Sequence, residues 1–171
     1  MQSEIASYGL LAALAIATLY AGWSDVRGRR IANWLTLTIA VTAPLFWLVA
    51  GLSPWPQIAA QIGTALLTFF VGAFLFKIRA VGGGDVKLFA ALALWLEPGW
   101  FFNLVLLAAV LHGVISIVVY TQYRRAKLAG RKPAKQGVPY AVSIAIAVIG
   151  VLAVRYGPAA EAAFSHNAML S

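Results

Sequence analysis

The chain has no cysteine, only two histidines and only five acidic residues among 171. Without cysteine there is no disulfide, no thiolate nucleophile and no cysteine zinc site. His112 and His166 are far apart in sequence and offer no zinc-ligand spacing. No metal and no cofactor is therefore expected. Charged residues make up 11% of the chain, against roughly a quarter in soluble domains. Apolar residues fill their place, at 62%, and this composition is that of a polytopic membrane protein embedded in a lipid bilayer. The length leaves no room for a second sizeable domain beside the spans, so residues 1–171 read as one integral-membrane domain. A net charge of +8 could suggest nucleic acid. The basic residues cluster in short loops between apolar runs, however, so no nucleic-acid partner is expected.

Six apolar runs can be marked, at about 5–23, 34–52 (with Pro44), 58–76, 86–96, 100–120 and 138–154. About 20 residues span a bilayer core, so five runs are adequate or nearly so and the fourth is too short. The first is preceded by Glu4 and is long for a secretory signal, so it reads as a retained transmembrane helix. Arg27, Arg29 and Arg30 follow it. Lys77, Arg79 and Lys87 lie around the third and fourth runs. Arg124, Arg125, Lys127, Arg131, Lys132 and Lys135 lie between the fifth and sixth. Twelve of the 13 basic residues thus fall on alternate connections, while those at 51–57 and 97–99 carry none. The basic loops are expected in the cytoplasm and both termini on the other side. Trp55, Trp95 and Trp100 would then lie near the outer interface.

The short fourth run is informative. Asp85 to Glu97 is 13 residues, about 20 Å of helix, against a hydrocarbon thickness of about 30 Å. With Glu97 at the outer interface, Asp85 stops below the inner one, reached by a non-helical segment at 82–84. Irregular backbone at that depth needs protein or a water-filled cavity around it. The expected architecture is an all-α membrane protein of six transmembrane helices, the fourth short, with a cleft open to the cytoplasm.

Two of the five acids lie at that face, Asp25 and Asp85, and the other three, Glu4, Glu97 and Glu161, near the opposite one. An acid kept near hydrocarbon is a functional-site hypothesis by default. Gly82-Gly83-Gly84-Asp85 can be a plain turn with an Asp cap. The truncated helix favours more: glycines that adopt unusual dihedrals and let a substrate backbone approach. Asp25 alone reads as an interfacial acid paired with Arg27 or Arg29. Two such carboxylates in contact cannot both ionise readily, so one holds a proton while the other acts as base. Lys87 reads first as a snorkelling cation, and a role in orienting substrate is the alternative. Asn33 reads as a helix cap, with a substrate hydrogen bond as the alternative. His112 suggests a hydrogen bond between helices. The basic stretch at 124–135 suggests contact with anionic lipid. Pro139 suits a first helical turn, with Tyr140 able to cover the cleft.

These residues give the chain its likeness. Asp25 after the first core helix, Ile31-Ala32-Asn33 shortly beyond, and Gly82-Gly83-Gly84-Asp85-Val86-Lys87 resemble the pattern of the prepilin peptidases, membrane aspartic proteases of type IV pilus and type II secretion systems. Pro139-Tyr140 resembles a third feature. The resemblance covers nearly the whole chain. It implies that Asp25 and Asp85 are the catalytic pair, with Gly82, Gly84, Lys87 and Asn33 binding substrate or supporting the site. The implied substrate is a prepilin with a basic leader ending in glycine before a hydrophobic helix. The implied location is the bacterial inner membrane. Ala32 stands where the family has proline, which leaves both acids in place. The larger members carry a cysteine-paired cytoplasmic insertion and also N-methylate the product. This chain lacks both features and is similar to the small peptidase-only branch of tight-adherence pili. Two other classes are compatible with paired intramembrane acids: a small proton- or ion-coupled transporter and a non-catalytic assembly scaffold. Proton-dependent uptake would mark the first, and tolerance to loss of either acid the second.

Overall fold

The computed structural model describes residues 2–130 and 139–169. Among them there are six α-helices and no strand: α1 (Gln2–Gly28), α2 (Asn33–Val49), α3 (Ala59–Lys77), α4 (Gly83–Ala93), α5 (Pro98–Leu128) and α6 (Tyr140–Met169). A short wide turn, Pro54–Ile58, leads into α3 and is kinked at the extended Trp55. The part of the basic stretch at 131–135, and Val138 at the head of the sixth run, lie outside the described residues.

Four helices are long and apolar enough to cross a membrane: Ser3–Gly28, Pro54–Lys77, Pro98–Leu128 and Tyr140–Pro158. The expected fifth, α2, has 17 residues and falls short. Its apolar run does reach Leu52, but the last three residues form the stop. Gly51 takes a left-handed φ of 66°. The N–H of Leu52 then bonds to Trp47 O at 2.9 Å and that of Gly51 to Leu48 O at 3.3 Å, the paired bonds of a Schellman motif. The same motif ends α3, with Arg79 in the left-handed position at φ 61° and Ala80 N–H bonded to Leu75 O at 2.9 Å.

α1 and α6 pack along each other, and the sequence dictates how. Leu11, Leu14, Thr18, Ala21 and Asp25 follow a 3-4-3-4 spacing, one stripe of a helix, and all five are buried. On α6 Ala141, Ile144, Ala145, Val148, Val151 and Leu152 are buried, and Ala141 and Ala145 lie against Gly22 of α1. Gly22 allows a close approach, since a β-carbon there would lie 3.4 Å from Ala141 O and Val142 Cα. α5 covers another side of α6.

α4 is the inner helix of the other half. It packs on α3, α2 and α5, and Leu88, Leu92 and Ala93 have no exposed surface. Its buried side is wholly apolar, and its polar residues Asp85 and Lys87 lie in its first turns. Trp95 corrects an expectation, since it is 2% exposed and is not an interfacial anchor. Its Nε1 donates to Ile39 O of α2 at 2.8 Å, while Trp47 Nε1 donates to Leu94 O at 2.7 Å. The two indoles lock the end of α4 to α2. The outward faces are apolar, with Ile16, Leu48, Phe70 and Ile117 exposed, as surfaces that meet lipid should be.

Candidate active site

Asp25 is the last member of the buried α1 stripe, which explains why a carboxylate sits at 9% exposure. Just beyond it α1 ends, with Arg29 at φ 50° and its N–H on Asp25 O at 2.8 Å. The Asp25 side chain meets the start of α6, where Oδ2 accepts the Ala141 N–H at 3.3 Å. A helix start offers unpaired N–H groups and a positive dipole end, which suit an anion. Of the two cations expected beside this acid, Arg27 lies over the Trp23 ring, 4.3 Å from its centroid. Arg29 lines a cavity together with Asp25.

Asp85 is the third residue of α4, not its cap. The cap is Gly82, at φ −76° and ψ 141°. This corrects the expected non-helical stretch at 82–84, because Gly83 and Gly84 are already helical. It corrects the reason for the glycines as well. None of the three has a positive φ, so torsional freedom is not what they supply. Each gives room to a different neighbour. A β-carbon on Gly82 would lie 2.7 Å from Asp85 Oδ2, one on Gly83 3.2 Å from the Phe76 ring, and one on Gly84 3.3 Å from Ile31 Cβ. The Asp85 carboxylate folds back over Gly82 and accepts a hydrogen bond from its backbone. Val86 N–H bonds Gly82 O at 3.2 Å. This is the half of a capping box in which the third residue reaches back to the cap.

The two acids come from positions 60 apart in the sequence and line one cavity of about 560 Å³, with Arg29, Gly82, His112 and Tyr140. They are near enough for the charge of Asp25 to act on Asp85. His112 reaches α6 through its ring, edge-on to Tyr140 at 4.2 Å. Among the described residues the helix–helix hydrogen bond expected of it is not made, and its buried Nδ1 has no hydrogen-bond partner.

The other residues singled out fall elsewhere. Lys87 Nζ donates to Asn33 Oδ1 at 2.9 Å, tying α4 to α2. Both line a separate groove of about 510 Å³ and are absent from the cavity wall. Asn33 is the first residue of α2 and not its cap, which is Ala32 with no side-chain bond. Gly84 seats α4 on Ile31. Sequence reading missed the Ala141 N–H, which no side-chain pattern announces. It gave Tyr140 a place over the cleft and named His112 without joining it to the acids.

Apolar helices long enough to cross a membrane, with two carboxylates on one cavity, place the chain in the class of helical membrane proteins. The chain belongs to the type IV leader peptidase family, whose sequence model matches residues 12–117, more than half of the chain and including both acids. It is therefore a protease of membrane type, acting on leader-bearing precursors. Comparison with curated proteins and with solved structures gives no match.

Proposed function

We propose that this protein is an aspartic endopeptidase that removes the leader of prepilins at the cytoplasmic face of the bacterial inner membrane. Asp25 and Asp85 form the dyad. One carboxylate takes a proton from a water held between them. The water oxygen attacks the scissile carbonyl carbon as the other carboxyl group gives its proton to the carbonyl oxygen. The tetrahedral intermediate then collapses, the C–N bond breaks, and the leaving nitrogen recovers a proton from the dyad. Neither step calls for a metal or cofactor.

The observation that carries this reading is the meeting of Asp25 and Asp85 on one cavity, each carboxylate bonded to the backbone at a helix start. Those bonds fix both side chains without occupying every lone pair. In this reading the whole chain is one peptidase domain of six spans. α4 completes the set from within the bundle, and α2 adds a shorter helix with an exposed apolar stripe at Trp34, Leu37, Val41, Leu45 and Leu48. The cavity is the cleft, and it opens on the side of the basic loops. Lack of cysteine and of an insertion supports the small tight-adherence branch and the absence of N-methyltransferase activity.

The test is leader cleavage in vesicles by wild type, Asp25→Asn and Asp85→Asn at matched expression. Each variant should stay inserted and lose cleavage by at least about a hundredfold, the lower range for a general acid or base. Near wild-type turnover in either variant would remove that residue from the dyad.

A further inference from the structure

The dyad reading leaves open where the apolar helix of the substrate lies. Two apolar grooves flank α3, because α3 leans mainly on α4. One, between α2 and α3, is about 510 Å³. The other, between α3 and α5, is about 500 Å³. They are similar in size and differ in what they reach.

The α2/α3 groove shares no residue with the dyad cavity. The Lys87–Asn33 hydrogen bond joins α4 to α2 on that side. The α3/α5 groove shares Val81, Asp85 and Tyr140 with the dyad cavity, so the two spaces meet at a catalytic carboxylate. From there it follows Thr64, Leu67, Thr68, Val71, Gly72 and Leu75 of α3. Those positions recur at three and four residues, one continuous helix face. The 11 steps from 64 to 75 measure about 16 Å along the helix. Thr64, Thr68 and Gly72 keep the floor low, as small residues do where a helix packs in a membrane. Leu67 is 66% exposed and Phe102, across the groove, 62%. The groove is thus open to the side, so a helix already in the bilayer can enter it without leaving lipid.

We infer that the α3/α5 groove receives the hydrophobic helix that follows the scissile bond of the substrate, and that the α2/α3 groove does not. This inference rests on the peptidase reading. The scissile peptide then lies where groove and cavity join, at Asp85 and Tyr140. The leader lies in the dyad cavity, and the helix runs down the groove between α3 and α5.

Leu66 and Leu67 provide the test. They are adjacent, but Leu66 lines the α2/α3 groove and Leu67 the α3/α5 groove. Because the chain has no cysteine, single cysteines can be placed at either. Full-length Leu66→Cys and Leu67→Cys would be made with Asp25→Asn, which keeps the substrate uncut. They would be mixed in vesicles with prepilins carrying one cysteine each across the second and third helical turns after the scissile bond. Oxidation should give a disulfide adduct with Leu67→Cys at least about tenfold above Leu66→Cys. In an otherwise wild-type enzyme, Thr68→Trp should raise KM for the whole prepilin about tenfold, with kcat changed far less, as loss of uniform binding does. Its effect on cleavage of a peptide lacking the apolar helix should be far smaller than on the whole prepilin. Adducts equal at both positions, or stronger at Leu66→Cys, would overturn the assignment while the peptidase reading stood. Cleavage by wild type with no adduct at either would mean that lipid alone fills the groove. Failure of wild type to cut any prepilin would sink the peptidase reading and this inference together.

Discussion

The three glycines before Asp85 look interchangeable in the sequence and are not so in the structure. Gly82 gives room to the Asp85 carboxylate, Gly83 to a ring and Gly84 to Ile31. The backbone of Gly82, at φ −76° and ψ 141°, is open to any residue. Gly82→Ala therefore tests the carboxylate alone. Its methyl group would displace Asp85 Oδ2 from the position it now holds at 2.7 Å, and the fold need not change. Cleavage should drop about a hundredfold, the scale of loss when a reacting group is misplaced by about 1 Å. The thermal midpoint in detergent should stay close to wild type. Full activity in Gly82→Ala would show that the carboxylate does not need that space. Lys87→Gln should behave differently, because Lys87 bonds Asn33 outside the cavity. Its cleavage rate should remain within about fivefold of wild type, since exposed charged contacts contribute little. A loss as deep as that of Asp85→Asn would bring Lys87 into the catalytic site.

At the scale of elements, the crossing of α3 and α4 sets where Asp85 stands. A β-carbon on Gly72 of α3 would lie 2.6 Å from Val86 Cγ1, and Val86 follows Asp85. Gly72→Ala should push the helices apart and cost about 1–3 kcal/mol, as overpacking does. Val86→Ala in the same chain should recover most of that loss. Thermal unfolding of the two single variants and the double variant in detergent would measure the coupling, and additive effects would mean that the contact is unimportant. The sequence made much of this half legible. The short apolar run marked α4 as a truncated element, while its burial between α2, α3 and α5 appears only in the structure. The 3-4-3-4 stripe ending at Asp25 was also in the sequence, but α1 is apolar nearly all round and hides its inner face. Helix ends were less legible. Hydropathy carries the second run to Leu52, while Gly51 stops α2 at Val49. Basic residues that end the fifth run in hydropathy continue α5 to Leu128. Partnerships through the backbone, Asp25 with Ala141 above all, leave no mark on a pattern of side chains.

Across the whole molecule, charge is sorted between two ends. At one end lie Asp25, Asp85 and Arg29 around the cavity, with Arg27, Lys77 and Arg79 nearby in sequence. The thirteenth basic residue, Arg155, is at the other end, where its Nη2 meets Glu97 Oε1 at 3.3 Å and its guanidinium lies 5.3 Å from the Tyr156 ring centroid. The exception to the charge bias is thus paired with an acid, and contributes little free charge to its end. Orientation should follow the other basic residues, with residues 27–30 and 124–130 in the cytoplasm and the Glu97 end outside. Cysteines introduced one at a time at Ser3, Glu97 and Lys127 would report this without background. In intact cells an impermeant thiol reagent should label Ser3→Cys and accessible Glu97→Cys, and should label Lys127→Cys only after lysis. Replacing Glu97 also frees Arg155, so Ser3→Cys serves as the reading in which that pair is intact. Labelling of Lys127→Cys in intact cells, with Ser3→Cys protected, would invert the topology. The Asp25/Asp85 cavity would then open away from the cytoplasm, and a leader exposed on the cytoplasmic side could not reach it.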